Sequence, residues 1–226
     1  MGIVDPYFPA SICLKLAAVA SANTFIETGT YYGRTAKWAA SHFEQVHTIE
    51  LSELLYNQTK NELISMRIVP HCGDSRSILP KLINGGIVFW LDGHYSGGET
   101  AGEEDPCPLL NELDVILHRS HDDIIINDAR LYGVEKGYPS IIEICRKIEV
   151  ASKIKRCVQI CDDQIYIISF KCEYVEILLD YILERSMLLW NLPRTKIVCA
   201  NPIRDFMQFF LKKNKAWIKI ILEKDT

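Results

Sequence analysis

Short apolar runs that end in a polar or acidic residue recur along the first part of the chain, at TFIETG (24–29), VHTIEL (46–51), IVFWLDG (87–93) and DIIINDA (123–129). A weaker run, RIVPHCGDS (67–75), is interrupted by Pro70. Helical periodicity covers residues 10–22, Arg34 to Phe43, Ser52 to Ser65, Cys107 to Arg119 and Pro139 to Val150. Strands alternating with helices of this length predict βαβ units and a parallel sheet buried on both faces. Two further runs, KIKRCVQIC (153–161) and QIYIISFK (164–171), are joined by Asp162 and Asp163. That tight acidic joint predicts a hairpin, so the last strand should run antiparallel to its neighbour. The expectation is an α/β, Rossmann-like sheet of seven strands in residues 1–171, mostly parallel, with helices on both faces. Residues 172–226 change character: they are rich in Leu, Ile and Lys, carry a net positive charge, and read as a mainly helical extension (173–190, 202–213, then a Lys/Trp segment).

Composition narrows the classes. With 226 residues, 48% hydrophobic and 24% charged, the chain suits one generous globular domain, or one domain with an appendage, and not a disordered protein. The formal net charge of -4 lacks the basic footprint of a nucleic-acid binder, although the basic tail is a local exception. No apolar run reaches the ~18 residues of a membrane span. Residues 10–22 have the apolar look of a signal peptide but follow Asp5, Pro6 and Pro9 and contain Lys15, so the chain reads as cytoplasmic. None of the eight cysteines forms a C-x-x-C pair, which reads as reduced thiols. A metal site on Cys157, Cys161 and Cys172 has no histidine nearby in sequence to support it.

In an open α/β sheet, ligands bind beyond the carboxyl ends of the strands. The residues there are Glu27, Gly29 and Gly33 after the first strand, Glu50 after the second and Asp74 after the third. Asp92 and His94 follow the fourth, and Asn127, Asp128 and Arg130 the fifth. Acids favour turns and helix starts, which explains one or two of them but not a series in register. The first loop, ETGTYYGRT, has Tyr31 and Tyr32 where a dinucleotide fingerprint needs another glycine, so it suits a nucleoside without a pyrophosphate. Glu50, 21 residues beyond Gly29, has the spacing of a carboxylate that binds ribose hydroxyls. The missing glycine speaks against the alternative of an NAD-dependent oxidoreductase or epimerase.

The series FIETGTYYG, HTIEL, CGDS, FWLDGHYSGG and IINDAR, followed by the hairpin, resembles the class I S-adenosylmethionine-dependent methyltransferases. Within that class it is most similar to the macrocin-type small-molecule O-methyltransferases. The resemblance covers roughly residues 8–171. It implies that Glu27, Thr28, Gly29, Tyr31, Gly33 and Thr35 carry the methionine end of the cofactor. Glu50, with Leu51, would bind the ribose; Gly73, Asp74 and Ser75 would lie near the adenine, and Asp92 is a further cofactor-binding residue. Asp92, Asn127 and Asp128 match the positions that hold a divalent cation in metal-dependent relatives, where Asp-Asp or Asp-Asn is the usual last pair.

The chemistry beside the resemblance is consistent. Two carboxylates and an amide oxygen form a hard donor set suited to Mg²⁺, and such a cation would orient the acceptor and lower its pKa. Asp92 and His94 are the catalytic candidates, His94 either as general base or as a turn residue. The loop 95–108 offers Glu99 and Glu103 either as substrate contacts or as plain surface residues, while Tyr31, Tyr32, Tyr132 and Tyr138 either line an acceptor pocket or pack in the core. Arg130 either binds an anionic acceptor or pairs with a neighbouring acid. The expected partner is a small-molecule methyl acceptor, a sugar or glycosylated metabolite. The alternative of a non-catalytic scaffold would use the tail as a contact face, homo-oligomers included.

Overall fold

The computed structural model describes residues 8–95, 97–98, 100–118, 122–190 and 220–221. A first helix, α1 (Ala10–Ala20), leads into alternating strands and helices: β1 (Thr24–Thr28), α2 (Arg34–Ala39), β2 (Gln45–Glu50), α3 (Glu53–Ser65), β3 (Val69–Cys72), α4 (Ser75–Leu82), β4 (Ile87–Leu91), α5 (Leu109–Ile116) and β5 (Asp123–Ile126). A short 3₁₀ turn at Ala129–Leu131 precedes α6 (Ile141–Ala151), and the hairpin β6 (Arg156–Cys161) and β7 (Gln164–Ser169) follows. The chain then enters α7 (Cys172–Trp190), and β8 (Ile220–Ile221) is a two-residue strand.

The sheet order is β3-β2-β1-β4-β5-β7-β6-β8. Strands β1 to β5 pair in parallel, and β7 lies antiparallel to both β5 and β6. This is the Rossmann-like methyltransferase arrangement expected from the sequence, extended by β8 at the β6 edge. The expected helix 202–213 and most of the Lys/Trp segment fall outside the described residues.

Every residue of β1, β4 and β5 is buried, as the continuous apolar runs require of strands covered on two faces. Alternate residues feed two cores. Phe25, Val88, Trp90 and Ile125 pack with α1, α2, α3 and α7; Ile26, Phe89, Ile124 and Ile126 pack with α4, α5 and α6. From α7, Tyr174, Val175, Leu178 and Ile182 are buried in the first of these cores. Helix α4 has no counterpart in the sequence reading, because Pro80 inside it reads as a breaker. Helix α2 stops at Ala39, short of the Phe43 expected. Pro70 does not prevent β3 from forming, because among the described residues β3 is an edge strand and pairs only with β2.

Candidate functional site

The carboxyl ends of β1, β2 and β4 open into a cleft of about 920 Å³, counted out to open solvent. Its floor is a close approach of two loops. Gly29 has φ +84°, and a Cβ there would lie 2.3 Å from the Asp92 carbonyl oxygen. Only glycine allows this conformation and this contact together. Gly33, φ +69°, likewise leaves no space, since its Cβ would lie 2.7 Å from Leu63 Cδ2 of α3. Tyr31, between them, also has a positive φ of 48°.

That strained turn points the Tyr31 amide at Glu50. The Tyr31 N–H donates to Glu50 Oε2 at 2.8 Å, and the Ser52 N–H donates to Oε1 at 2.8 Å. Glu50 is 5% exposed at the tip of β2 and faces the cleft. Burial raises its carboxyl above the ordinary value, while backbone N–H groups partly offset the rise. Glu27 sits deeper. The register places it opposite Thr48, whose hydroxyl donates to Glu27 Oε2 at 2.7 Å. Burial pushes Glu27 up to about 8, with smaller contributions from Asp92 and Glu50. Thr28 and Thr35 are buried against the same floor.

The opposite wall carries Gly73, Asp74 and Ser75. Asp74 caps α4 by accepting from the Arg76 amide at 2.9 Å, and its two oxygens hold the Arg76 guanidinium. That interaction keeps the Asp74 carboxyl below its usual value. Arg76 also pairs with Asp105, and Gly102 of the same segment lies against Leu51 at the cleft. Of the loop acids, Glu103 is exposed, and Glu99 lies outside the described residues.

Next to the cleft, His94 stands between two carboxylates. Nδ1 lies 3.4 Å from Asp92 Oδ1, and Nε2 lies 3.2 Å from Asp128 Oδ2. Burial pushes Asp92 up to about 6, moderated by His94. Burial alone would lower the imidazole, but Asp128 and Asp92 carry it above its ordinary value. Asp128 in turn is held below its ordinary range, because His94 and Arg130 outweigh burial. Arg130 is thus committed to acids, bonding Asp128 Oδ1 at 2.7 Å and also pairing with Asp163. Asn127 donates its amide N–H to Asp92 Oδ1 at 3.2 Å and accepts from Gln164 at 3.3 Å.

This geometry bears on a divalent cation. Asp92 and Asp128 face one space, whereas Asn127 turns its nitrogen toward Asp92 and its oxygen toward Gln164. Donor atoms of Asp92, His94 and Asp128 all lie within 4.8 Å of one another. Two carboxylates and an imidazole fit an ion such as Mn²⁺ or Zn²⁺ better than Mg²⁺, which favours oxygen alone. The cysteines give no such group among the described residues.

Tyr31 and Tyr32 line the cleft, their rings 4.2 Å apart. Tyr132 is buried in the core of α5 and α6, and Tyr138 packs on it and on His94. Three polar groups escaped the sequence reading. Arg76 gives no distinguishing pattern. Glu112 had a signal, because it falls on the α5 stripe of Leu109, Leu113 and Ile116, where an apolar residue belongs. Burial pushes Glu112 up to about 7, and it lies beside Thr28 and Ser75. Asp163 was visible only as half of a turn.

Glu27, Glu50 and Asp92 thus line one cleft as buried or nearly buried carboxyl groups. No protein-family model matches the sequence, and no curated protein matches it either. Among solved structures, the chain is similar to the O-methyltransferase TomG from Streptomyces achromogenes in complex with SAM. The identity is 17% and the TM-score 0.46, over 71% of this chain and 80% of that one. It is also similar to an O-methyltransferase from Bacillus cereus in complex with SAH (16% identity, TM-score 0.46, 71% and 81% covered). An rRNA methylase from Streptococcus thermophilus shows a comparable likeness (13% identity, TM-score 0.46, 72% and 97% covered). Identities this low concern the fold alone.

Proposed function

We propose that the chain is an S-adenosylmethionine-dependent methyltransferase acting on a hydroxyl of a small molecule, in the manner of the macrocin-type enzymes, with a sugar or glycosylated metabolite as acceptor. The observation that carries this reading is Glu50: a buried carboxylate at the tip of β2, fixed by two backbone N–H groups beside a loop with no place for a pyrophosphate. The Asp92–His94–Asp128 group adjoins the deep end of the same cleft.

When bound, S-adenosylmethionine supplies an electrophilic methyl group on a sulfonium. Glu50 accepts hydrogen bonds from the ribose hydroxyls, and the Gly29 turn allows the methionine end to lie against the β1 and β4 loops. Glu27 and Asp92 favour a cation there. Asp92, raised toward neutrality, is matched to take the proton of the acceptor hydroxyl as the oxygen attacks in line. His94, with a nitrogen toward each carboxylate, orients Asp92 and balances the charge of the pair. Asp92, His94 and Asp128 are also the residues that would hold a divalent cation, whose chemistry would be to polarise the acceptor oxygen.

The test is thermal stabilisation by S-adenosylmethionine, S-adenosylhomocysteine and NAD, each with and without Mg²⁺ or Mn²⁺. A ligand at ~100 times its dissociation constant adds ~2.7 kcal/mol, several degrees in melting temperature. Stabilisation by the two sulfur compounds and not by NAD is expected. A glycoside panel assayed for homocysteine-containing product would then identify the acceptor. Stabilisation by NAD alone, or by none of the three, would overturn the reading.

A further inference from the structure

The β6–β7 turn sits at the working end of the sheet for a topological reason. Strand β7 is inserted antiparallel beside β5, with Ile126 opposite Ile165, so β7 begins where β5 ends. The turn that precedes it therefore reaches the same edge as Asn127 and Asp128. Its two residues, Asp162 (φ 50°) and Asp163 (φ 67°), are both left-handed, as a two-residue hairpin of this twist requires. Such turns favour Asn-Gly or Asp-Gly, and a second non-glycine residue in this region is strained.

The side chains account for the departure. The Asp163 carbonyl accepts from the Ala129 N–H at 2.8 Å, Asp163 Oδ1 accepts from the Arg130 N–H at 2.8 Å, and its carboxylate pairs with the Arg130 guanidinium. Arg130 then binds Asp128, the carboxylate facing His94 Nε2. Gln164, the next residue, donates to Asn127, which donates to Asp92 on the other side of the imidazole. The supports of both carboxylates thus start from adjacent residues, the last of the turn and the first of β7. One ends on Asp128, itself left-handed at φ 55°, the other on Asp92, and His94 lies between the two. On the outer side, Asp162 receives the Tyr181 hydroxyl at 3.3 Å and pairs with Arg185, both from α7.

We propose that Asp163 and Gln164 are positioning residues for the Asp92–His94–Asp128 group, with Asp162 tying the same turn to α7. This rests on the proposed reaction for its purpose but not for its test. The probes are the full-length chain with EDTA, and the variants Asp163→Ala and Asp163→Asn. Asparagine suits left-handed backbone and keeps an oxygen for the Arg130 N–H, so it separates the hydrogen bond from the charge.

Two readouts apply. The hydrogen-bonded imidazole N–H proton of His94 is observed by NMR and assigned by its loss in His94→Asn. Amide exchange is followed at Ala129 and Arg130. In Asp163→Ala the imidazole signal should broaden away, and exchange at those amides should rise about tenfold or more, with the strand amides unchanged. Asp163→Asn should retain the signal and most of the protection. If Asp163→Ala keeps both signal and protection, or if wild type shows no such proton, the positioning role is overturned. Should Asp163→Ala lose protection throughout the sheet, the turn is merely structural and the proposal is equally overturned. Failure of S-adenosylhomocysteine to bind would count against the proposed reaction without touching these outcomes.

Discussion

The two ends of the sheet both collect buried acids, yet they treat them differently. At the amino end, Asp122 and Asp123 adjoin Arg156, which is 1% exposed. Its NH1 donates to the Asp122 carbonyl at 2.7 Å, its Nε to Ser152 at 3.2 Å, and Asp122 Oδ1 accepts from the Ile87 N–H. At the carboxyl end, Glu27, Glu50 and Asp92 have hydroxyls, backbone N–H groups and an imidazole for company, and the guanidiniums of Arg76 and Arg130 are held by Asp74, Asp105, Asp128 and Asp163. A buried acid matched to a buried cation is a fixture of the fold. A buried acid held by hydroxyls, amides and an imidazole still has affinity for an incoming cation; the partners make the difference, since burial raises Asp123 at the amino end as well.

The sharpest way to break this contrast is to remove the cation at the amino end. Arg156→Met should cost about 3–5 kcal/mol in urea unfolding, because it leaves carboxyls buried with no cation. Affinity for S-adenosylhomocysteine should be unaffected in the fraction that remains folded.

The second prediction concerns pH. The Glu27 pKa is raised from 4.5 to about 8 in the folded chain, so over that interval the unfolded chain releases a proton that the folded chain keeps. Stability should therefore fall as pH rises from about 5 to 8, by at most about 1.4 kcal/mol per pH unit from this group. Glu27→Gln should flatten the slope and raise stability at pH 8, measured by unfolding at each pH.

Glu50→Gln isolates the ribose contact proposed for this carboxylate. It should weaken S-adenosylhomocysteine binding by about 1.5–3 kcal/mol, the range of a hydrogen bond to a charged group, read by calorimetry. The smallest effect belongs to the surface pair Arg76–Asp105. Asp105→Asn should change stability by under about 1 kcal/mol, since the pair is partly exposed. Stopped-flow should nonetheless show faster ligand entry and exit as the 95–108 loop loosens.

Much of this was legible along the chain. The strands announce themselves as apolar runs, and the acids that end or follow the first four fall where the cleft opens. Glycines at 29 and 33 stand where the backbone must turn left-handed. Other elements hid for identifiable reasons. Helix α4 contains a proline and follows a strand that also contains one. The two-sided setting of His94 depends on Asp128 and on supports from Asp163 and Gln164, about 70 residues away. No local pattern encodes such a contact; it follows from which way β7 is inserted. The orientation of the Asn127 amide is likewise decided by Gln164, so an oxygen donor read from sequence becomes a hydrogen donor in place.

Pro70 has a consequence beyond shaping β3. The outer edge of a sheet presents unpaired backbone groups on which another chain can build, the usual route to runaway association. A strand of a second copy arriving there in register would meet a proline ring and no N–H at position 70, midway along a four-residue edge. The residue that most weakens β3 as a strand also makes it a poor template for sheet growth.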